Sequence, residues 1–92
     1  MSEPTYLAEL NAADYPLFRK QDPTLPETYD AWLRSADERV QSLRSRGEIP
    51  VRYPIRFRAF AERNDILGIS SFDQATRDDY ADELGRAHTA AL

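Results

Sequence analysis

Between Leu25 and Leu43, seven apolar side chains (Leu25, Tyr29, Trp32, Leu33, Ala36, Val40 and Leu43) follow one another at steps of four, three, one, three, four and three residues. Steps of three and four keep side chains on one face of a helix with 3.6 residues per turn, whereas a strand needs alternate residues. The stretch predicts an amphipathic helix over 26–46 that serves as the spine of the fold. Its flanks agree. Thr24-Leu25-Pro26-Glu27 has the form of a capping box, with proline tolerated in the first turn. Asp30 precedes Arg34 by four residues, the favoured order for a surface pair. Arg44 and Arg46 suit the negative end of the helix dipole, and Gly47 suits a left-handed cap.

The rest of the chain must pack on that spine. In 92 residues there is room for one core, so the expectation is a single domain over 1–92, with 1–24 as a proline-punctuated N-terminal arm. Residues 2–14 read as a short helix, with Ser2 as a cap and Tyr6, Leu7 and Leu10 at helical spacing; a short strand is the alternative. Pro16 and Pro23 argue against a regular element over 15–25, which reads as an ordered arm held down by Leu17 and Phe18, or as a flexible tail. From Ile49 to Arg58, apolar residues alternate with Pro50, Arg52, Pro54, Arg56 and Arg58, the mark of an extended segment. The two prolines share one parity, so both missing N–H groups fall on one edge of the segment and the other edge can still pair. Pairing with residues 5–10 or with a partner competes with an unpaired strap, and the strap is the favoured reading for an isolated monomer. A shorter helix over about 55–64 competes with the strand for residues 55–58. A last helix starts near Ser71, with Gln74 three residues on, and runs to about 84 or beyond; Gly85 ends or weakens it. The fold class is therefore mainly α: a long central helix (about 26–46), a C-terminal acidic helix (about 71–84 or beyond) and one extended proline-containing segment (about 49–55).

Charge is ordered along the chain. Residues 1–33 carry six acids against two bases, residues 34–63 carry eight arginines against four acids, and residues 64–92 again carry six acids against two bases. The successive net charges are −4, +4 and −4, and the whole is −4. Segments of opposite sign in one small domain are expected to meet and neutralise each other; a two-faced surface offered to a partner is the alternative.

Several chemistries are excluded at this level. With no cysteine there is neither a disulfide framework nor a thiolate nucleophile, and one histidine, His88, cannot make the paired-histidine metal sites. The expectation is no metal, no cofactor and no catalysis. No apolar run reaches the roughly 18 residues a membrane span needs, and the first residues lack a secretion signal, so a cytoplasmic location is expected. His88 lies near the C-terminus without an orienting carboxylate at motif spacing and reads as a surface residue. Asp73, Asp78, Asp79, Asp82 and Glu83 place carboxylates four apart on the last helix. They read as a solvated acidic face, or as a partner-binding face that imitates nucleic-acid phosphates toward a basic protein. Arg52, Arg56 and Arg58 form a second candidate partner-binding edge. Because the intervening Tyr53 and Phe57 point the other way, direct nucleic-acid binding is not expected. A homodimer through the extended edge near Val51 is a further alternative.

Thr28-Tyr29-Asp30-Ala31-Trp32-Leu33-Arg34, the arginine-rich helix after it, Gly47, the Val/Ile-Pro extended stretch and Ala59-Phe60-Ala61 resemble small accessory proteins of GC-rich bacteria and their mobile elements. The resemblance spans about residues 26–84 and rests on packing residues, so it transfers no functional site. It implies an accessory role, such as an antitoxin-like regulator or an inhibitor of a host defence complex of the anti-CRISPR or antirestriction type. The functional expectation is a small acidic, non-catalytic protein-interaction or regulatory module, with such a phage or mobile-element inhibitor as the alternative.

Overall fold

The computed structural model describes residues 3–90, which contain β1 (Pro4–Glu9), α1 (Tyr15–Gln21), α2 (Tyr29–Ser45), β2 (Ile49–Pro54), α3 (Phe57–Leu67) and α4 (Gln74–Ala90). The mainly-α class holds, with the addition of a two-stranded parallel sheet. β1 pairs with β2 in the register Tyr6–Val51 and Leu7–Arg52. The expected N-terminal helix is therefore a strand, and the extended segment is not an unpaired strap; the proposed Ser2 cap lies outside the described residues. Leu7 packs with Val40 and Leu43 under α2, while Tyr6, Ala8 and Leu10 join the main core on the opposite face. A strand buried on both faces loses its alternating pattern, which is why Tyr6, Leu7 and Leu10 looked helical.

The orientation of the strand amides follows from two hydrogen bonds. Ile55 N–H donates to the Glu9 carbonyl at 3.1 Å, so the odd-numbered residues of β2 face β1. Pro50 and Pro54 then lie on the outer edge, where they have no N–H to offer. On β1 the outward residues are Pro4, again without an N–H, Tyr6 and Ala8, and the Ala8 N–H donates to Asp78 Oδ1 at 2.9 Å. Proline and a carboxylate thus guard both edges against further pairing. The Val51 amide faces β1, so it is not part of the open edge of the sheet.

Residues 15–21 form a helix rather than an irregular arm. Pro16 occupies its first turn, where the missing N–H costs nothing, and Pro23 follows its end. Tyr15 and Phe18 are buried, and the Tyr15 hydroxyl donates to the Pro26 carbonyl at 2.6 Å.

α2 begins three residues later than expected. Thr28, not Thr24, is its cap, accepting from the Ala31 amide at 3.1 Å, while Thr24 binds Asp22 instead. Leu25 consequently lies outside the helix, although it remains in the core. α4 is as long as α2, so no single helix dominates the fold. Both α2 and α3 end in a Schellman turn: Glu48 N–H donates to Leu43 O across Gly47 (φ 81°), and Ile69 N–H to Asn64 O across Gly68 (φ 69°).

α4 is capped by Asp73, which accepts from both the amide and the hydroxyl of Thr76, rather than by Ser71. It continues straight through Gly85. A Cβ there would lie within 2.8 Å of Tyr6 Cγ and nearer still to two other ring carbons, so glycine is what lets α4 approach β1. The centre of the molecule is aromatic: Phe18 meets Phe57 edge-on at 5.2 Å, Phe60 meets Phe72 at 5.6 Å, and Trp32 stacks on Tyr29 at 5.7 Å.

Candidate functional site

Four of the eight arginines in the middle of the chain pair with acids from its two ends. Arg39 reaches Asp78 at 2.6 Å, Arg52 reaches Glu9 at 2.7 Å, Arg56 reaches Asp14 at 2.8 Å, and Arg63 pairs with Glu83. The proposed basic edge does not form. Arg52 lies on the α2 side of the sheet, held by Glu9 and Asp37; these partners raise its pKa above the ordinary value, against the opposing effect of burial. Arg56 has left the strand and sits at the start of α3, and Arg58 is within α3, paired with Glu62. The alternation that seemed to align the three ends at Pro54, where the chain changes from period 2 to period 3.6.

Nor do the five acids make one face. Asp78 turns inward, taking the Ala8 amide and Arg39. Asp73 is the α4 cap, and the Thr76 amide and hydroxyl hold its carboxyl below the usual range. Asp82 pairs with Arg86 and Glu83 with Arg63, leaving Asp79 as the one of the five with neither an ion pair nor a capping role among the described residues. Spacing along a helix finds carboxylates that are neighbours; it does not reveal an arginine arriving from another element.

Two further carboxylates hold the fold together. Asp14 accepts from Arg56, from the Phe57 amide and from Asn11, and these bonds hold its pKa at about 2 despite the cost of burial. Asp22 is buried with Arg77. Burial pushes its pKa up, but hydrogen bonds from Arg77 and Thr24 outweigh that and leave it below the ordinary value. His88 is exposed in the last turn of α4, with the Tyr53 ring 6.4 Å away. Among the described residues no group of three or more histidines and carboxylates could hold a metal ion, and no helix is long and apolar enough to cross a membrane.

Sequence reasoning missed the cleft between α2 and α4. An inner chamber of about 40 Å³ and an outer one of about 420 Å³ share Trp32, Ser35, Gln74 and Arg77 as walls. The Arg77 side chain is only 4% exposed. Its Nη1 donates to Asp22 Oδ2 at 2.8 Å and to the Phe72 carbonyl at 2.7 Å, while Nε and Nη2 have no acceptor among the described residues. The signal available in the sequence was an arginine on the apolar side of α4, between Ala75 and Ala81.

A second distinctive surface is the C-terminal end of α3, where Ile66 is 82% exposed and Leu67 57%. Comparison with protein-family models, curated proteins and solved structures gives no match.

Proposed function

We propose that the protein is a non-catalytic protein-interaction module and that it engages its partner through the end of α3. The observation that carries this reading is the adjacent, exposed pair Ile66 and Leu67. Isolated apolar residues on a surface are ordinary, but two neighbours at a helix end, with Ile69 just beyond, form an apolar point that water penalises. Asp65 beside them is exposed and without an ion pair among the described residues. The complementary partner surface is an apolar depression with a cation on its rim.

Two further features support the reading. Closed strand edges disfavour recognition by added β-strands, so helices carry the contact. The buried carboxylates Asp14 and Asp22 are committed to internal bonds, which speaks for structural rather than catalytic work. The inhibitor reading through a phosphate-like acidic face has less support, because four of its five carboxylates already hold partners within the molecule, Asp73 and Glu83 at its surface.

A photo-crosslinking side chain at position 66, used in the native host, tests this. A defined partner captured at 66 and not at 44, with capture lost in Leu67→Ser and the melting temperature unchanged, is the expected outcome. Equal capture from both positions refutes the reading. Crosslinking of the chain to a second copy of itself replaces the partner by self-association.

A further inference from the structure

We propose that the cleft between α2 and α4 is a binding site for the carboxylate group of a small organic acid, received by the free edge of Arg77. A guanidinium presents five N–H donors, and here only those on Nη1 are used. A side chain 96% removed from solvent leaves its Nε and Nη2 donors short of acceptors, and what access remains opens on the two chambers that Arg77 lines. Neither donor is sealed off: both keep contact with solvent, which for a side chain this enclosed comes through the chambers it lines, so a ligand seated there can take them. The Nε–Nη2 side of a guanidinium is the fork that matches the two oxygens of a carboxylate.

The surroundings narrow the ligand. Gln74 and Ala75, the first residues of α4, line the outer chamber, and their amides have no acceptor within the helix, so a negative group meets the positive end of a dipole there. Asp22 and Asp73 also stand on that wall. They disfavour a doubly charged phosphate more than a singly charged carboxylate. Leu25 and Trp32 supply an apolar wall for a short hydrocarbon tail. The inner chamber, whose walls include the carboxylates of Glu9 and Asp78, is too small for an organic acid, so the ligand lies in the outer one.

Trp32 is the only tryptophan and lines both chambers, so its fluorescence reports occupancy. Butyrate titrated at constant ionic strength is expected to give a saturable change with a half-point on the order of 1–10 mM. Its neutral counterpart butyramide, and inorganic phosphate, are expected to be at least about tenfold weaker. Ser35→Phe is expected to obstruct the cleft and spare the core, since Ser35 is an exposed residue lining both chambers and its hydroxyl bonds only the Trp32 carbonyl of its own helix. This variant should melt as the parent does and lose the butyrate response, read by ligand-observed NMR to avoid a changed tryptophan signal. Arg77→Lys, if it folds, should weaken butyrate about tenfold or more, because lysine cannot present the fork. No saturable response, an equal response to butyramide or phosphate, or butyrate binding retained in Ser35→Phe would each overturn the assignment. The cleft and the α3 end share no residue, so either can fail without the other.

Discussion

Replacing Gly85 by alanine in the middle of α4 opposes two effects of known size. Alanine is favoured over glycine in a helix interior by about 1 kcal/mol, so on propensity alone Gly85→Ala stabilises. The added Cβ, however, would enter the ring of Tyr6, meeting Cγ at 2.8 Å and two other ring carbons more closely still. Real Cβ atoms do not approach that near, so either the ring or the helix must move. The ring is not free to swing. Its hydroxyl hydrogen-bonds Thr89 at 3.1 Å, its face meets Tyr53 edge-on with centroids 6.3 Å apart, and its backbone is fixed in the register of β1. Overpacking of this kind costs about 1–3 kcal/mol. The expected net is a loss of about 1 kcal/mol, which lowers the melting temperature of a domain this size by about 4–8 °C. Thermal unfolding followed by circular dichroism measures it. The decisive control is the cycle with Tyr6→Ala. In that background the obstruction is gone, and Gly85→Ala should become stabilising by about 1 kcal/mol. A melting temperature that is unchanged or raised by Gly85→Ala with Tyr6 in place would refute the argument that this contact requires glycine.

Other outcomes follow from the same geometry. Asp14 has a folded pKa of about 2 against an ordinary 3.8. The contribution of this depressed group to stability is complete above about pH 4 and is lost as pH falls through about 2. Asp14→Asn should therefore cost about 2 kcal/mol at neutral pH and flatten the acid limb of the stability curve, measured by urea unfolding between pH 2 and 7. Asp22→Leu leaves Arg77 charged and buried without its carboxylate and should cost about 3 kcal/mol or more. The double change Asp22→Leu/Arg77→Met should recover much of that, and a double variant as unstable as the single one contradicts the reading. Pro50→Val together with Pro54→Val restores two outward N–H groups on β2. The protein should then associate at micromolar concentration in size-exclusion chromatography, whereas a strict monomer would mean that the prolines are not what guards that edge.

The helices whose pattern is local were legible: the stripe from Tyr29 to Leu43 and the glycine stop at Gly47 are properties of neighbours in sequence. The two failures at the N-terminus have a common cause. β1 is a strand because β2, more than forty residues away, supplies its hydrogen bonds, and two buried faces hide its alternation; pairing overrode the helical spacing of Tyr6, Leu7 and Leu10. α1 was hidden by Pro16, read as a breaker although the first turn of a helix accepts it. The candidate faces failed for a different reason. A one-dimensional reading sees like charges gathered on one segment but not the opposite charges that tertiary packing brings to them. Arg77 was hidden in the same way: an arginine followed by Asp78 and Asp79 looks solvent-facing until Asp22, fifty-five residues away, is seen beside it.

The order of charge along the chain nevertheless carries topological information. A basic middle between two acidic ends is satisfied only if both ends return to the middle, and they do so at distinct places. Glu9 and Asp14 meet arginines on β2 and at the start of α3, whereas Asp78 and Glu83 meet arginines on α2 and α3. Apart from Asp14, these carboxylates sit in partly exposed pairs that contribute little energy each, so the pairs are not what holds the chain compact; the aromatic centre around Phe60 does that. Their effect is on specificity. A register slip of one residue between β1 and β2 would move Arg52 to the opposite face from Glu9 and leave the Ala8 amide without Asp78, so the charges penalise the nearest wrong arrangements more than they reward the right one. In a domain whose two strands come from distant parts of the chain, that discrimination is what the alternation of sign provides. It also explains why a chain so rich in charge leaves its most unusual surface at the apolar end of α3 and its most unusual interior group at Arg77.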